Sequence, residues 1–338
     1  MTAPAVPLRR ASRPDGASVV AHVVFGVLAA AGVVALWSLY AGAITVFPGA
    51  FVLGVVLQGA VVVIGFTLLG RLRPIHAPPF GTSLAALVWG ATAASGASVI
   101  ANDGLLAVWA KVGTLGFSSA WGAALSAPLN EELLKAAGIA LLALAVPHAV
   151  RGPVDGMIFG ALAGLGFQAA ENVIYGLQAV PSGGGVDQGA AVVQSFLGRV
   201  LVTGLGSHWT MSAVAGAGVG YALIGRRWTG AGLILAAIAM HWLFDAPFLA
   251  FFAGTIAKVA VNFVAAVALY FAVRHGYRVH ARRVLPPGES GSLITRRARR
   301  RARRETPTGP IRARLAAYQE WRLAQIDRTR PGRTHAVV

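Results

Sequence analysis

An all-α, polytopic bundle of transmembrane helices is the fold this sequence predicts, and three observations predict it. Of 338 residues, 56% are hydrophobic and only 12% are charged, with a mean hydropathy of +0.66. An ordinary soluble chain carries about 25% charged residues. Between Val20 and Tyr277 the acids are only Asp103, Glu131, Glu132, Asp155, Glu171, Asp187 and Asp245. Apolar stretches of about 20 residues recur through that region, the length needed to cross a hydrocarbon core.

Eight spans are expected, at roughly 20–46, 49–71, 82–101, 122–147, 153–178, 194–224, 229–251 and 254–276. The first follows Arg9, Arg10 and Arg13 and so resembles the start of a signal peptide. Its apolar run is too long for a signal h-region and is read as a retained span. Turn residues mark several links: Pro48-Gly49, Pro74 through Pro79, Gly152-Pro153, and Ser182-Gly183-Gly184-Gly185. Arg71, Arg73, Arg151, Arg226 and Arg227 fall on the side of the N-terminal arginines; Asp103, Lys111, Asp187, Arg199 and Lys258 fall on the other. The positive side is the cytoplasmic one, and an even span count places both termini there. The expected organisation is an N-terminal segment 1–19, a transmembrane domain 20–277 and a cytoplasmic tail 278–338.

Charge placement argues against nucleic acid as a partner. Of a net charge of +17, most lies in the tail, where 16 arginines from Arg278 onward face 4 acids. Basic segments beside membrane spans contact anionic lipid headgroups, either as a surface-lying amphipathic helix or as a disordered arm. Cysteine is absent, which removes disulfides and thiol nucleophiles. Lysine occurs only at 111, 135 and 258, an arginine-biased usage typical of a GC-rich genome. Gly160, Ala161 and Gly164 give the fifth span small residues at helical spacing, suited to close helix–helix contact.

The residues that stand out are ionisable ones inside spans: Glu131 and Glu132 in the fourth, Glu171 in the fifth, His208 in the sixth, His241 and Asp245 in the seventh. A charge at a helix centre costs roughly 2.5–3.5 kcal/mol on insertion scales, so such residues are functional candidates by default. With about 1.5 Å of rise per residue, all of these heads come near the midplane or its outer side, where one site can hold them. Lys135 is four residues from Glu131 and three from Glu132 and can pair with one, leaving the other to take a proton from water. His241 and Asp245 share a helix face, so the carboxylate can fix the imidazole's tautomer. Asn172, beside Glu171, offers an amide to a developing oxyanion.

Other chemistries are absent. There is no H-E-x-x-H zinc helix, no G-x-S-x-G elbow, and only one aspartate deep in a span, so no aspartyl dyad. Hydrolysis by carboxylate and histidine, with or without a metal, is what the residues allow. A proton-coupled transporter or a non-catalytic scaffold with the same polar core are the alternatives, although no internal repeat relates the two halves.

The ordered set resembles the PrsW family of intramembrane proteases. Glu131-Glu132-Leu-Leu-Lys135 is similar to its EExxK motif, and Phe167-Gln-Ala-Ala-Glu171-Asn172 to its FxxxEN motif. His208, then His241-Trp-Leu-Phe-Asp245, are similar to its later histidine motifs, with the likeness running from about Leu84 to Phe271. The related CAAX prenyl endopeptidase group carries an arginine one place after the Lys135 position and a histidine where Glu171 stands, and this chain sides with PrsW. The resemblance implies a membrane-embedded endopeptidase cutting single-span membrane proteins, an anti-sigma factor in the founding case, within a bacterial plasma membrane. It also implies roles: Glu131 activates water with help from Glu132; His208 and His241 bind Zn2+, with Glu132 as the carboxylate ligand, or polarise water directly without metal; Glu171, Asn172 and Asp245 complete the site.

Overall fold

The computed structural model describes residues 16–72, 78–146, 149–285, 293 and 295–328. Arg9, Arg10, Arg13, Arg73 and the chain beyond 328 lie outside the described residues. Helices α1 (Gly16–Val46) and α2 (Pro48–Leu72) are separated by Phe47 alone. Both are apolar on every side and expose most of their valines and leucines, the pattern of helices that face lipid. Helices α3 (Phe80–Trp89) and α4 (Ser95–Val112) are joined through a π-helical turn, Gly90–Ala94, into one element of 33 residues. Asp103 and Lys111 therefore ride on a helix and not on the outer loop that the sequence suggests.

Helix α5 (Leu115–Ala145) starts at Thr114, whose hydroxyl accepts from Phe117 N at 3.1 Å and caps the first turn. Pro128 sits inside it, three residues before Glu131. Helix α6 (Pro153–Ser182) begins with proline at its first position and Asp155 in its first turn, both favoured at a helix start. It is the central helix, buried from Pro153 through Gln168.

The sixth expected span, read as continuous over 194–224, is broken. Helix α7 (Gln188–Phe196) runs into a π-helical turn (Leu197–Val202) and a 3-10 turn (Gly204–Gly206), and α8 (His208–Leu223) departs at 53° to it. Glycine at 204 and 206 weakens the helix there, and neighbouring side chains take over the freed carbonyls. Trp209 Nε1 donates to Gly204 O at 2.8 Å, and Asn262 Nδ2 donates to Gly206 O at 3.1 Å. Such replacement is what permits irregular backbone inside a bundle. The break also makes His208 the first residue of α8.

Helix α9 (Arg227–Asp245) ends at Asp245, and α10 (Phe252–Val284) closes the bundle. Six of these elements are long and apolar enough to cross a membrane, and the bent α7–α8 pair makes a seventh. The count of eight is reached only with α5, which carries Glu131, Glu132 and Lys135 and is not among those seven. The chain is thus a multi-pass, all-α membrane protein.

Packing is tightest between α6 and α8. A Cβ on Gly156, Gly160 or Gly164 would collide with the backbone of α8 at Gly216, Ser212 and His208. On its other flank Gly166 meets the backbone of Leu87 and Ala91. Small residues let helices approach closely where dispersion, and not water exclusion, drives association. Gly160, Ala161 and Gly164 thus serve the close contact their spacing suggests.

After α10, two helices are seen among the described residues of the tail: α11 (Arg296–Glu305) and α12 (Pro310–Arg328). Leu323 and Ile326 of α12 are buried, and His280 Nε2 of α10 lies 3.2 Å from Ile326 O. This part of the tail packs on the bundle.

Candidate active site

Helices α5, α6, α8 and α9 bring Glu131, Glu132, Glu171, His208, His241 and Asp245 into one cluster beside a cavity of about 250 Å³, with Glu131, Glu132, His208 and His241 buried and Glu171 and Asp245 half-buried. Glu131, Glu171, His208, His241 and Asp245 line that cavity; Glu132 does not.

The two neighbouring glutamates have different surroundings. Glu132 is saturated: Lys135 Nζ donates to Oε1 at 2.6 Å, Ser212 Oγ to Oε2 at 2.9 Å, and His241 Nδ1 lies 3.2 Å from Oε1. Lys135 itself is 1% exposed and stands 4.2 Å over the Phe167 ring. Of the two partners the sequence offers Lys135, Glu132 at i,i+3 takes the direct bond and Glu131 at i,i+4 lies 3.6 Å away. Glu131 accepts from Asn102 Nδ2 at Oε1, 3.0 Å. Its Oε2 is buried and has no hydrogen-bond partner. Three nitrogens surround that oxygen beyond bonding range: His208 Nδ1 and Lys135 Nζ at 3.6 Å, His241 Nε2 at 3.8 Å.

The imidazoles are oriented from behind. Lys135 Nζ lies 3.3 Å from His208 Nδ1. An ammonium only donates, so Nδ1 carries the lone pair and Nε2 carries the proton, which it gives to Glu171 Oε2 at 2.9 Å. His241 meets carboxylates on both edges, Glu132 at Nδ1 and Asp245 Oδ2 at 3.4 Å from Nε2. With Nδ1–H given to Glu132, a neutral His241 aims its lone pair at Glu131 and Asp245. A proton or a metal ion between them relieves the repulsion of that arrangement. The carboxylate hydrogen-bonded to His241 is thus Glu132, while Asp245, to which the sequence points, faces the other edge of the ring.

Two expectations change. Asn172 does not reach into the cavity: its Nδ2 faces Gln58 Oε1 of α2 at 3.4 Å, and its Oδ1 accepts from Arg199 Nε at 2.6 Å. One residue along a helix turns a side chain by about 100°, so the neighbour of Glu171 looks elsewhere. The compact group of metal-type ligands is Glu131, His208 and His241, with ligand atoms within 4.8 Å of one another, in place of the set containing Glu132.

Sequence reasoning missed Asn102 and Arg199. Asn102 lies at the end of the expected third span, and nothing in its neighbourhood marks it; Asn130 Nδ2 in turn donates to its Oδ1 at 3.2 Å. Arg199 was sorted with the outer charges although it falls inside the expected sixth span. An intramembrane arginine was the signal.

Fold and geometry together define the class: a membrane-embedded protein with hydrolytic groups gathered in its interior. The model of the PrsW family of intramembrane metalloproteases matches residues 78–273, more than half of the chain. The chain belongs to that family and is a membrane-embedded protease, which sets aside the transporter and scaffold alternatives. No curated protein and no solved structure matches it.

Proposed function

We propose that Glu131, His208 and His241 form the hydrolytic centre, and that water activated there cuts peptide bonds of single-span membrane proteins. The observation that carries this reading is Glu131 Oε2, buried at the cavity, unpartnered, and faced by one nitrogen of each imidazole.

A divalent metal suits these residues. Each histidine has one nitrogen against a carboxylate and the other toward Glu131, the outer support that metal-binding histidines ordinarily have. Two imidazoles and a carboxylate with an open position are a common catalytic zinc donor set. Glu131, Glu132, Glu171 and Asp245 face two cations, Lys135 and Arg199, so with neutral imidazoles the cluster lacks the charge of one divalent ion. When bound, Zn2+ would lower the proton affinity of its water and polarise the scissile carbonyl.

The chain's own residues do the rest. Asn102 holds Glu131 by Oε1 and keeps Oε2 turned to the imidazoles. Asp245, lining the cavity beside His241, takes the proton of the attacking water and returns it to the departing amine. One contact favours a second, metal-free reading in which Glu131 is itself the base. Lys135 Nζ is within 3.6 Å of both Glu131 Oε2 and His208 Nδ1, the same atoms a metal would use.

Reconstituted in vesicles with single-span proteins, the wild-type protein is expected to release fragments cut within the span and to hold about one zinc per chain. Its activity should fall on chelation and return with zinc. Cuts confined to the aqueous flank would remove the intramembrane site, and full activity in metal-free protein would leave only the Glu131-base reading.

The tail we place on the anionic cytoplasmic leaflet of the plasma membrane. Arg297, Arg300, Arg301 and Arg304 share a face of α11 and, with Arg71 at the end of α2, line an open space of about 630 Å³. Guanidinium groups hold phosphates by paired, charge-assisted hydrogen bonds. In vesicles the tail should resist trypsin more strongly as anionic lipid is added, and equal digestion in neutral vesicles would sink this placement.

A further inference from the structure

Arg199 is the one cation of the cluster that the hydrolytic reading leaves without a task. It lies in the π-helical turn Leu197–Val202 of the bent α7–α8 element and lines the cavity. An insertion of this kind re-aims the side chains it carries, and such turns recur at functional sites. The guanidinium is gripped on three sides. Its Nε donates to Asn172 Oδ1 at 2.6 Å, its Nη2 pairs with Glu171 Oε2, and its plane lies 3.7 Å from the Tyr175 ring centre. The oxygen it pairs with, Glu171 Oε2, is the one that meets His208 Nε2.

We propose that Arg199 is a positioning residue of the hydrolytic centre: by fixing Glu171 it fixes which nitrogen of His208 faces Glu131. The path is short. Arg199 and Asn172 set the carboxylate, the carboxylate takes the Nε2 proton, and Nδ1 is left with its lone pair toward Glu131 Oε2 at 3.6 Å. Glu171 is 22% exposed at the cavity, so without the arginine its side chain is free to turn to water there and release the imidazole. Asn172 gains a purpose by the same contact, since its carbonyl aligns the guanidinium. A lysine is no substitute, because a single ammonium lacks the planar fork that spans the two acceptors.

The inference rests on Glu131 and His208 being the working groups, and the test separates the two ideas. Arg199→Ala and Arg199→Lys would be compared with wild type for kcat, KM, abundance and thermal midpoint in reconstituted protein. Losing the support behind a working histidine typically costs about 10–100-fold in activity. That fall is expected in kcat for both variants, with KM and thermal midpoint little changed. Millimolar guanidinium ion should restore part of the activity of Arg199→Ala and none of that of Glu171→Gln. Wild-type kcat in Arg199→Ala, or a loss matched by lost folded protein and untouched by guanidinium, would overturn the positioning role. If Glu131→Gln still cleaves, the hydrolytic reading itself has failed, whatever Arg199 does.

Discussion

Glu131→Gln is expected to abolish detectable cleavage while the protein stays folded at normal abundance. Glutamine keeps the shape of the side chain and the oxygen that accepts from Asn102 Nδ2. Lys135 keeps Glu132 at 2.6 Å, so no buried cation is stranded. What disappears is the charge on Oε2, the atom facing both imidazoles. Loss of a general base, or of a ligand that orders the attacking water, removes about 10²–10⁴-fold in rate. Product formation from a panel of single-span proteins, with membrane levels checked by blot, reads this directly. Persisting cleavage at comparable rates would place the centre elsewhere.

Lys135→Met should do the opposite, removing the protein before activity is measured. Lys135 is 1% exposed, bound to Glu132, 3.6 Å from Glu131 and 3.3 Å from His208 Nδ1. Without it two adjacent carboxylates remain buried with no full positive charge on their own helix. Breaking a buried pair by removing one partner costs about 3–5 kcal/mol, a large share of ordinary stability. The expected result is loss of the band from the membrane fraction and a sharply lower thermal midpoint. The double variant Glu132→Gln/Lys135→Met should recover much of the abundance, since the bonded pair is then removed together and only Glu131 keeps a charge on that stretch of helix. A Lys135→Met protein with wild-type level and midpoint would mean the lysine is not what tolerates the paired glutamates.

The sequence revealed the bundle because hydropathy over a span is a sum of many residues, insensitive to any one of them. It revealed the cluster for a related reason: a carboxylate in a lipid-spanning helix needs a cation or donor, so Glu131, Glu171 and Asp245 point to Lys135, His208 and His241. Directions were beyond it. Glu131 and Glu132 are adjacent, and about 100° of helix rotation decides which faces the cavity and which is sealed by Ser212 and Lys135. The same rotation turned Asn172 away from the cavity to Gln58. The break at Gly204–Gly206 was hidden because apolar composition runs straight across it. With the span taken as continuous, the turn that aims Arg199 at the cavity was not foreseen.

The glycine contacts between α6 and α8 bear on how the enzyme admits a polypeptide. Glu171 rides on one of these helices and His208 on the other, joined across 2.9 Å. Backbones in direct contact along Gly156, Gly160 and Gly164 cannot part by a fraction without losing the contact altogether. The pair therefore forms one close-packed wall, and the spacing of Glu171 from His208 is held by backbone contact as well as by their hydrogen bond. A polypeptide entering the cavity thus meets this wall at a spacing that the two backbones set.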